Sequence, residues 1–269
     1  MAQFQAMTFN FAGDSSINYG LYIVEFGSHS GLTRDGAGSD INIISDSVPR
    51  RAEQHIYGVQ QDRQQQFSLT VGSDTPKSRA EIDRILAWLI RPEPMALSVW
   101  QWDAEWYQYT GFFTSPQTVA VDNALFGLQL NFICTSPYAY TFPKRKEVRV
   151  NTPLRYMFVN DSGDSIGYLR PTIRYIPRNT TQHLSIINLS DSGREFRLNL
   201  TPATDGHEVI TVDNDLQIFQ SSMGDDFSRI RFNGFNQSWF KLLRGANDLF
   251  ITGAGVLEFE YKLARRVGA

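Results

Sequence analysis

Between Phe126 and Thr135 the sequence reads FGLQLNFICT, so that Phe126, Leu128, Leu130, Phe132 and Cys134 alternate with Gly127, Gln129, Asn131, Ile133 and Thr135. A period of two sends successive side chains to opposite faces of a strand, so this run predicts a strand with one face in a core. The same period recurs along the chain. Phe67, Leu69 and Val71 alternate with Ser68, Thr70 and Gly72; Phe196, Leu198 and Leu200 alternate with Arg197 and Asn199; Leu257, Phe259, Tyr261 and Leu263 alternate with Glu258, Glu260 and Lys262. Runs of this kind fold as antiparallel sheets with one wet face. In SVWQWDAEWYQYTG, residues 98–111, Asp103, Ala104 and Glu105 stand between two aromatic strands as the tip of a hairpin.

One segment carries the helical period instead. In DTPKSRAEIDRILAWLIRPEP, residues 74–94, Ile82, Ile85, Leu86 and Leu89 share a face, and Trp88 flanks that stripe. Two starts compete: Thr75 as cap with Pro76 in the first turn, or Ser78 with Glu81 as a capping box. Pro92 and Pro94 end the helix in either case. One amphipathic helix in a strand-rich half of a mainly β chain predicts a sheet covered on one face, that is, an α+β domain or an N-terminal β-sandwich with one α-helix.

Residues 26–66 differ from both patterns. They are rich in Gly, Ser, Asp, Arg and Gln, with short apolar patches at Ile41, Ile43, Ile44, Ile56, Tyr57 and Val59. Such a stretch buries little of itself, so it is expected to lean on a domain or a neighbouring subunit as an extended arm. Ile41, Ile43, Ile44, Ile56 and Tyr57 are the candidate interface residues of that arm. A second domain is expected after the basic cluster Lys144, Arg145 and Lys146, over residues 147–255. There, short strands alternate with the turn signals NDSGD, SDSG, DNDL and RGAND, and no helical pattern is present. An all-β sandwich fits that spacing. The 269 residues suffice for two such cores, and 42% hydrophobic content excludes global disorder.

Composition also limits the chemistry. A formal net charge of -3 gives no basis for a phosphate-neutralising face. One cysteine makes no intramolecular disulfide and leaves too few thiolates for a Cys/His zinc site. No apolar run approaches the roughly 20 residues of a membrane span, and the start lacks a signal-peptide pattern, so membrane insertion is not expected and synthesis is expected in the cytosol. His29, His55, His183 and His207 are scattered, and no nucleophile elbow, Walker loop or zinc-protease motif occurs. Asp103 and Glu105 read as solvated tip carboxylates, and DNDLQI, residues 213–218, reads as a turn that lacks the glycine and distal Glu of a calcium loop. No catalytic residue, metal site or cofactor is therefore assigned. Cys134 is in phase with a core face and reads as a packed thiol. Past Pro137, Tyr138, Tyr140 and Phe142 continue the alternation, either as a cover over the sandwich edge or as a domain-junction contact.

LQLNFICTSPYAYTFP, residues 128–143, resembles the end of the N-terminal domain of the distal tail proteins (Dit) of long-tailed bacteriophages. Other stretches agree in order: GLYIVEF with the family's early strand, SRAEIDRILAWLI with its helix, WYQYTGFF with its hairpin. FVNDSGDSIGYLRPTIRY, HEVITVDND and LLRGANDLFITGAGVLEFEY resemble its second domain. The resemblance implies a virion protein at the distal end of the tail, assembled in the host cytoplasm as a homohexameric ring. It implies contacts with the tail tube protein, with a tail-associated or tail-fibre protein and with the tape measure protein, and passage of DNA through the ring without specific binding. It further implies that the N-terminal domain, residues 1–146, forms the ring and that the arm embraces the next subunit. The C-terminal domain is then a galectin-like β-sandwich inserted before residues 256–269, which return to the N-terminal domain. The competing reading is a carbohydrate-binding adhesion module, with Trp100, Trp102, Trp106 and Trp239 as stacking faces; a tail-borne hydrolase or peptidase is the third.

Overall fold

The computed structural model describes residues 8–24, 41–47, 54–61, 66–99, 106–122, 124–163, 167–178, 181–202, 204 and 207–265. The chain divides into two compact units, one of residues 1–141 with 265–269 and one of residues 142–264.

The first unit contains β1 (Phe9–Phe11), β2 (Asp14–Ser15), a 3-10 turn at Ser16–Tyr19, β3 (Tyr22–Ile23), β4 (Ile41–Ser47), β5 (Gln54–Gln61) and β6 (Gln66–Gly72). After these come α1 (Arg79–Leu89), β7 (Met95–Val99), β8 (Tyr107–Val121), β9 (Ala124–Cys134) and β10 (Ala139–Thr141). The main sheet is antiparallel in the order β2-β1-β7-β8-β9-β6-β3, while β4 and β5 form a two-stranded sheet of their own. The alternating run of β9 lies at its centre, paired with β6 from Gln66↔Ile133 to Gly72↔Gly127 and with β8 on its other side. Leu128, Leu130, Phe132 and Cys134 are buried, as the period of two requires. Gly127 permits the close approach of β6: a Cβ there would lie 2.0 Å from the Val71 carbonyl oxygen.

Helix α1 packs its apolar stripe into this core. Ser78 is the N-cap, and the capping box is complete: the Ser78 hydroxyl accepts from the Glu81 amide at 3.3 Å, and the Glu81 carboxylate accepts from the Ser78 amide at 2.8 Å. The Thr75 start is thus not used. Trp88 does more than flank the stripe. It is 3% exposed, stacks on Phe9 and Tyr19, meets the edge of Phe11, and donates its indole N–H to the Phe11 carbonyl at 3.1 Å. A buried tryptophan needs a partner for its N–H, and this one ties the helix to β1.

The second unit contains β11 (Lys144–Val150), β12 (Leu154–Asn160), β13 (Thr172–Pro177), β14 (His183–Asn188), β15 (Arg194–Asn199), β16 (Ile210–Asp213) and β17 (Ile218–Ser221). Then follow α2 (Asp225–Asn233), β18 (Gly245–Thr252) and β19 (Gly255–Tyr261). Two sheets, β11-β19-β13-β16-β17 and β12-β18-β14-β15, enclose one core that includes Phe158, Ile173, Tyr175, Phe196, Leu249 and Phe259. The sandwich matches the turn spacing read from the sequence.

Three expectations are corrected. The boundary falls between Thr141 and Phe142, because the basic cluster Lys144, Arg145 and Lys146 is the start of edge strand β11, in register with β19 from Lys144↔Tyr261 onward. Of residues 256–269, expected to return to the first unit, 256–263 do not: β19 lies between β11 and β13 and buries Leu257, Phe259 and Tyr261 in the second core, whereas the short strand Ala264–Arg265 pairs with β10 and residues 265–269 belong to the first unit. The second half also contains a helix, α2, whose only fully buried residue is Arg231. An arginine facing inward inverts the apolar stripe by which helices are recognised.

Candidate interaction surfaces

The β4–β5 hairpin holds most of the arm residues singled out from the sequence. Its strands pair antiparallel from Ile41↔Gln61 to Ser47↔Gln54, with a bulge at Tyr57 between Ile44↔Gly58 and Ser45↔Ile56. Ile43, Ile44, Ile56 and Tyr57 are all exposed, by 56%, 48%, 61% and 66%. The register puts Ile43 and Ile56 on one face. Ile44 is on the other, where Tyr57 meets the His55 ring edge-on at 5.0 Å. Both faces of the hairpin therefore carry apolar side chains. An isolated two-stranded sheet is marginal in water, so a hairpin of this kind is stabilised by a surface that covers it. Ile41 contributes its backbone to β4; residues 26–40, 48–53 and 62–65 of the predicted arm lie outside the described residues.

The aromatic segment after β9 takes another form. The chain breaks at Ser136 and Pro137 and resumes as β10 on the same side of β8, with Tyr140↔Gln108 and Thr141↔Tyr107 in register. Tyr138 is buried, and its amide donates to the Ser136 hydroxyl at 3.1 Å. Tyr140 is half-buried with its phenol 3.3 Å from the same hydroxyl, and Phe142, 37% exposed, is the first residue of the second unit.

The chain matches the phage tail protein N-terminal domain over residues 4–136 and the phage tail C-terminal domain over residues 138–261. It is a phage tail protein. The tail protein is a virion component, and its fold is that of the hub proteins. The Dit protein of phage SPP1, described as a paradigm of hub adsorption apparatus in phages infecting Gram-positive bacteria, is 15% identical with a TM-score of 0.67. The alignment covers 95% of this chain and 98% of that one. A chain of the phage p2 baseplate in its calcium-activated conformation is 9% identical with a TM-score of 0.52, covering 84% of this chain and 87% of that one. No curated protein matches the tail protein in sequence.

The residues weighed for other chemistry are dispersed in the tail protein. His55 lies in the hairpin, His183 on β14 and His207 ahead of β16, while His29, Asp103 and Glu105 lie outside the described residues. Among the described residues no group of three His, Cys, Asp or Glu converges as metal ligands. In the DNDL turn the Asp213 carboxylate accepts the Asp215 and Leu216 amides at 2.9 and 2.8 Å, which closes the β16–β17 connection. Burial pushes the Cys134 thiol up to about 12. Trp239 is partly buried and packs against Phe219 and Phe235 in tilted and edge-on contacts, with centroids at 5.5 and 5.0 Å. Trp106 is 45% exposed, and Trp100 and Trp102 lie outside the described residues.

Sequence reading missed the polar interior of the second unit. Glu208 and Arg231 are 0% and 1% exposed; the Arg231 Nε donates to both Glu208 oxygens at 3.1 Å, and Nη2 to Glu208 at 2.5 Å and the Pro202 carbonyl at 2.9 Å. Ser221 and Thr204 also donate to Glu208, at 2.7 and 2.9 Å. Burial pushes the Glu208 carboxyl up, but Arg231 and the two hydroxyls outweigh it and hold the group below its ordinary range. Asn247, buried in the RGAND turn, accepts from Asn188 and the Leu243 amide and donates to the Leu243 and Gly245 carbonyls. Asn214 bridges the Pro171 carbonyl and the Phe240 amide in the same way. The turn signals were visible in the sequence; that their amides fasten the core was not.

Proposed function

We propose that this tail protein is a distal tail hub: six copies close a ring that joins the tail tube to the proteins of the tail tip. The observation that carries this reading is the β4–β5 hairpin, a separate two-stranded sheet with apolar side chains exposed on both faces. A head-to-tail interface closes into a ring when the rotation per subunit divides a circle, and a hairpin that packs onto the next copy supplies such an interface. Ile43, Ile44, Ile56 and Tyr57, with Ile41, are the clasp residues, and Tyr138, Tyr140 and Phe142 set the junction with the second unit. The tail tube protein lies on one side of the ring, the tail-associated or tail-fibre protein on the other, and the tape measure protein passes within reach. The role is structural, with no bond made or broken, and the net negative chain lets DNA pass without holding it. Its assembly in the host cytoplasm and distal position in the tail follow the family resemblance.

The test is the mass of the purified protein in solution together with electron micrographs. Six-copy rings are expected. Removal of residues 41–61 is expected to leave folded, dissociated subunits; rings that persist without the hairpin would refute its role as the clasp, and a persistent monomer of the intact chain would refute the ring.

A further inference from the structure

The two faces of the β4–β5 hairpin differ in charge. Its strands carry two side chains that are charged, or become so, near neutral pH: Asp46 and His55. The register sets these two directly opposite each other, and both are exposed. Opposite residues of an antiparallel pair have Cβ atoms about 4.5–5.5 Å apart, so a carboxylate and an imidazole in those positions interact. On the face with Ile43 and Ile56 the described side chains are neutral, and there the Ser45 hydroxyl donates to the Gln54 side chain at 3.3 Å.

Asp46 and His55 share their face with apolar groups of the clasp. On β4, Asp46 is two residues from Ile44; on β5, His55 is two residues from Tyr57, whose ring meets the imidazole edge-on at 5.0 Å. A neighbour that covers Ile44 and Tyr57 therefore takes this pair out of water as well. His55 is faced by Asp46 from β4 and by Tyr57 from its own strand, while Arg50, Arg51 and Glu53 of the connection lie outside the described residues. Burial penalises a lone carboxylate more than one paired with a cation. With a neutral imidazole opposite, the clasp encloses the Asp46 charge alone; with an imidazolium it encloses a pair without net charge.

We propose that the hairpin is a pH-sensitive clasp: when the next copy closes over it, His55 takes up a proton and pairs with Asp46. This deepens the ring reading above and rests on it. The sign follows from linkage. The closed clasp binds the proton more tightly than the free hairpin, so its stabilisation is full at low pH and is lost as pH rises through the value of the closed state. An ordinary histidine titrates at about 6.5, so the clasp is tight near pH 6 and loosens toward about pH 8. A difference of one unit between closed and free states makes each contact about tenfold tighter at the acid end.

The experiment is sedimentation of the purified full chain, diluted through dissociation of the ring at about pH 6 and about pH 8 at equal ionic strength. Half-dissociation is expected at a protein concentration at least about tenfold lower at the acid pH. His55→Gln is expected to remove that difference and Asp46→Asn to remove or invert it, whereas His183→Gln, on β14, keeps it. Both hairpin positions are exposed, and the thermal transition of each variant checks that its fold is unchanged. A ring that dissociates alike at both pH values, or more readily at the acid one, would overturn the proposal and leave the ring standing. So would a difference that survives His55→Gln. A chain that stays monomeric at both pH values sinks the ring reading and the proposal with it.

Discussion

Replacing Arg231 with Met tests the account of the second unit most directly. The substitution removes a guanidinium that is 1% exposed and leaves the Glu208 carboxylate, 0% exposed, with only the Ser221 and Thr204 hydroxyls as donors. Breaking a buried ion pair from one side costs about 3–5 kcal/mol. The two remaining donors place Arg231→Met near the lower end, about 3 kcal/mol. For a unit of this size about 4 °C is lost per kcal/mol, so the midpoint of its thermal transition is expected to fall by roughly 10 °C. Calorimetry of the intact chain reads the loss, with amide exchange over α2 and β16–β17 to localise it. In the double variant Glu208→Leu/Arg231→Met no charge is left unpaired, so most of the loss is expected to return and the cycle to show strong coupling. The sign of the pH dependence is fixed as well. The folded carboxyl titrates below its ordinary value of 4.5, so its contribution is full above that pH and is lost as pH falls through the lower folded value. The gap between wild type and Arg231→Met should therefore narrow below about pH 4.5. A single variant that loses under about 1 kcal/mol, or a double variant no better than the single, would refute the reasoning.

Gly127→Ala drives a Cβ to 2.0 Å from the Val71 carbonyl oxygen, so β6 and β9 must part; a loss of about 3 kcal/mol or more is expected in urea unfolding, and wild-type stability would refute the register. Cys134, 1% exposed with its thiol pushed up to about 12, is expected to react with a thiol reagent at pH 8 only once the first unit unfolds; rapid labelling of the native protein would contradict its burial. Ser78→Ala removes the side-chain half of the capping box and is expected to cost about 1 kcal/mol, measured by the same unfolding; no loss would return the helix start to Thr75.

The parts of the fold that were legible are those written in a period. The strands around Leu130, Leu198 and Phe259 alternate because each has one wet face, and α1 announces itself by Ile82, Ile85 and Leu89 between a capping box and two prolines. The phase of a strand does not say which sheet it joins, which is why β19 was assigned to the wrong unit although its buried residues were named correctly. The charges of Lys144, Arg145 and Lys146 mark the end of the first domain in the sequence, whereas in the fold they open an edge strand, whose free side carries charge because no further strand covers it. Helix α2 escaped because it turns Arg231 inward and leaves Ile230 and Phe232 partly exposed, by 37% and 44%. The hairpin apolars were visible as short patches, and their exposure on both faces followed only from the register of β4 with β5.

The distribution of polar and apolar groups supports a part made for assembly. Inside the second unit, polar side chains are used to hold shape: Asn160, Asn188, Asn214 and Asn247 bond to backbone or to each other, and Glu208 receives three donors. Among the described residues only Arg231 Nη1 and Glu258 Oε1 are buried without a hydrogen-bond partner. Outside, the β4–β5 hairpin displays Ile43, Ile44, Ile56 and Tyr57 on a two-stranded sheet of its own. Water penalises each exposed isoleucine, so a free subunit gains nothing from that display. It becomes favourable when another chain covers it, and apolar groups on both faces suit a neighbour that can take both.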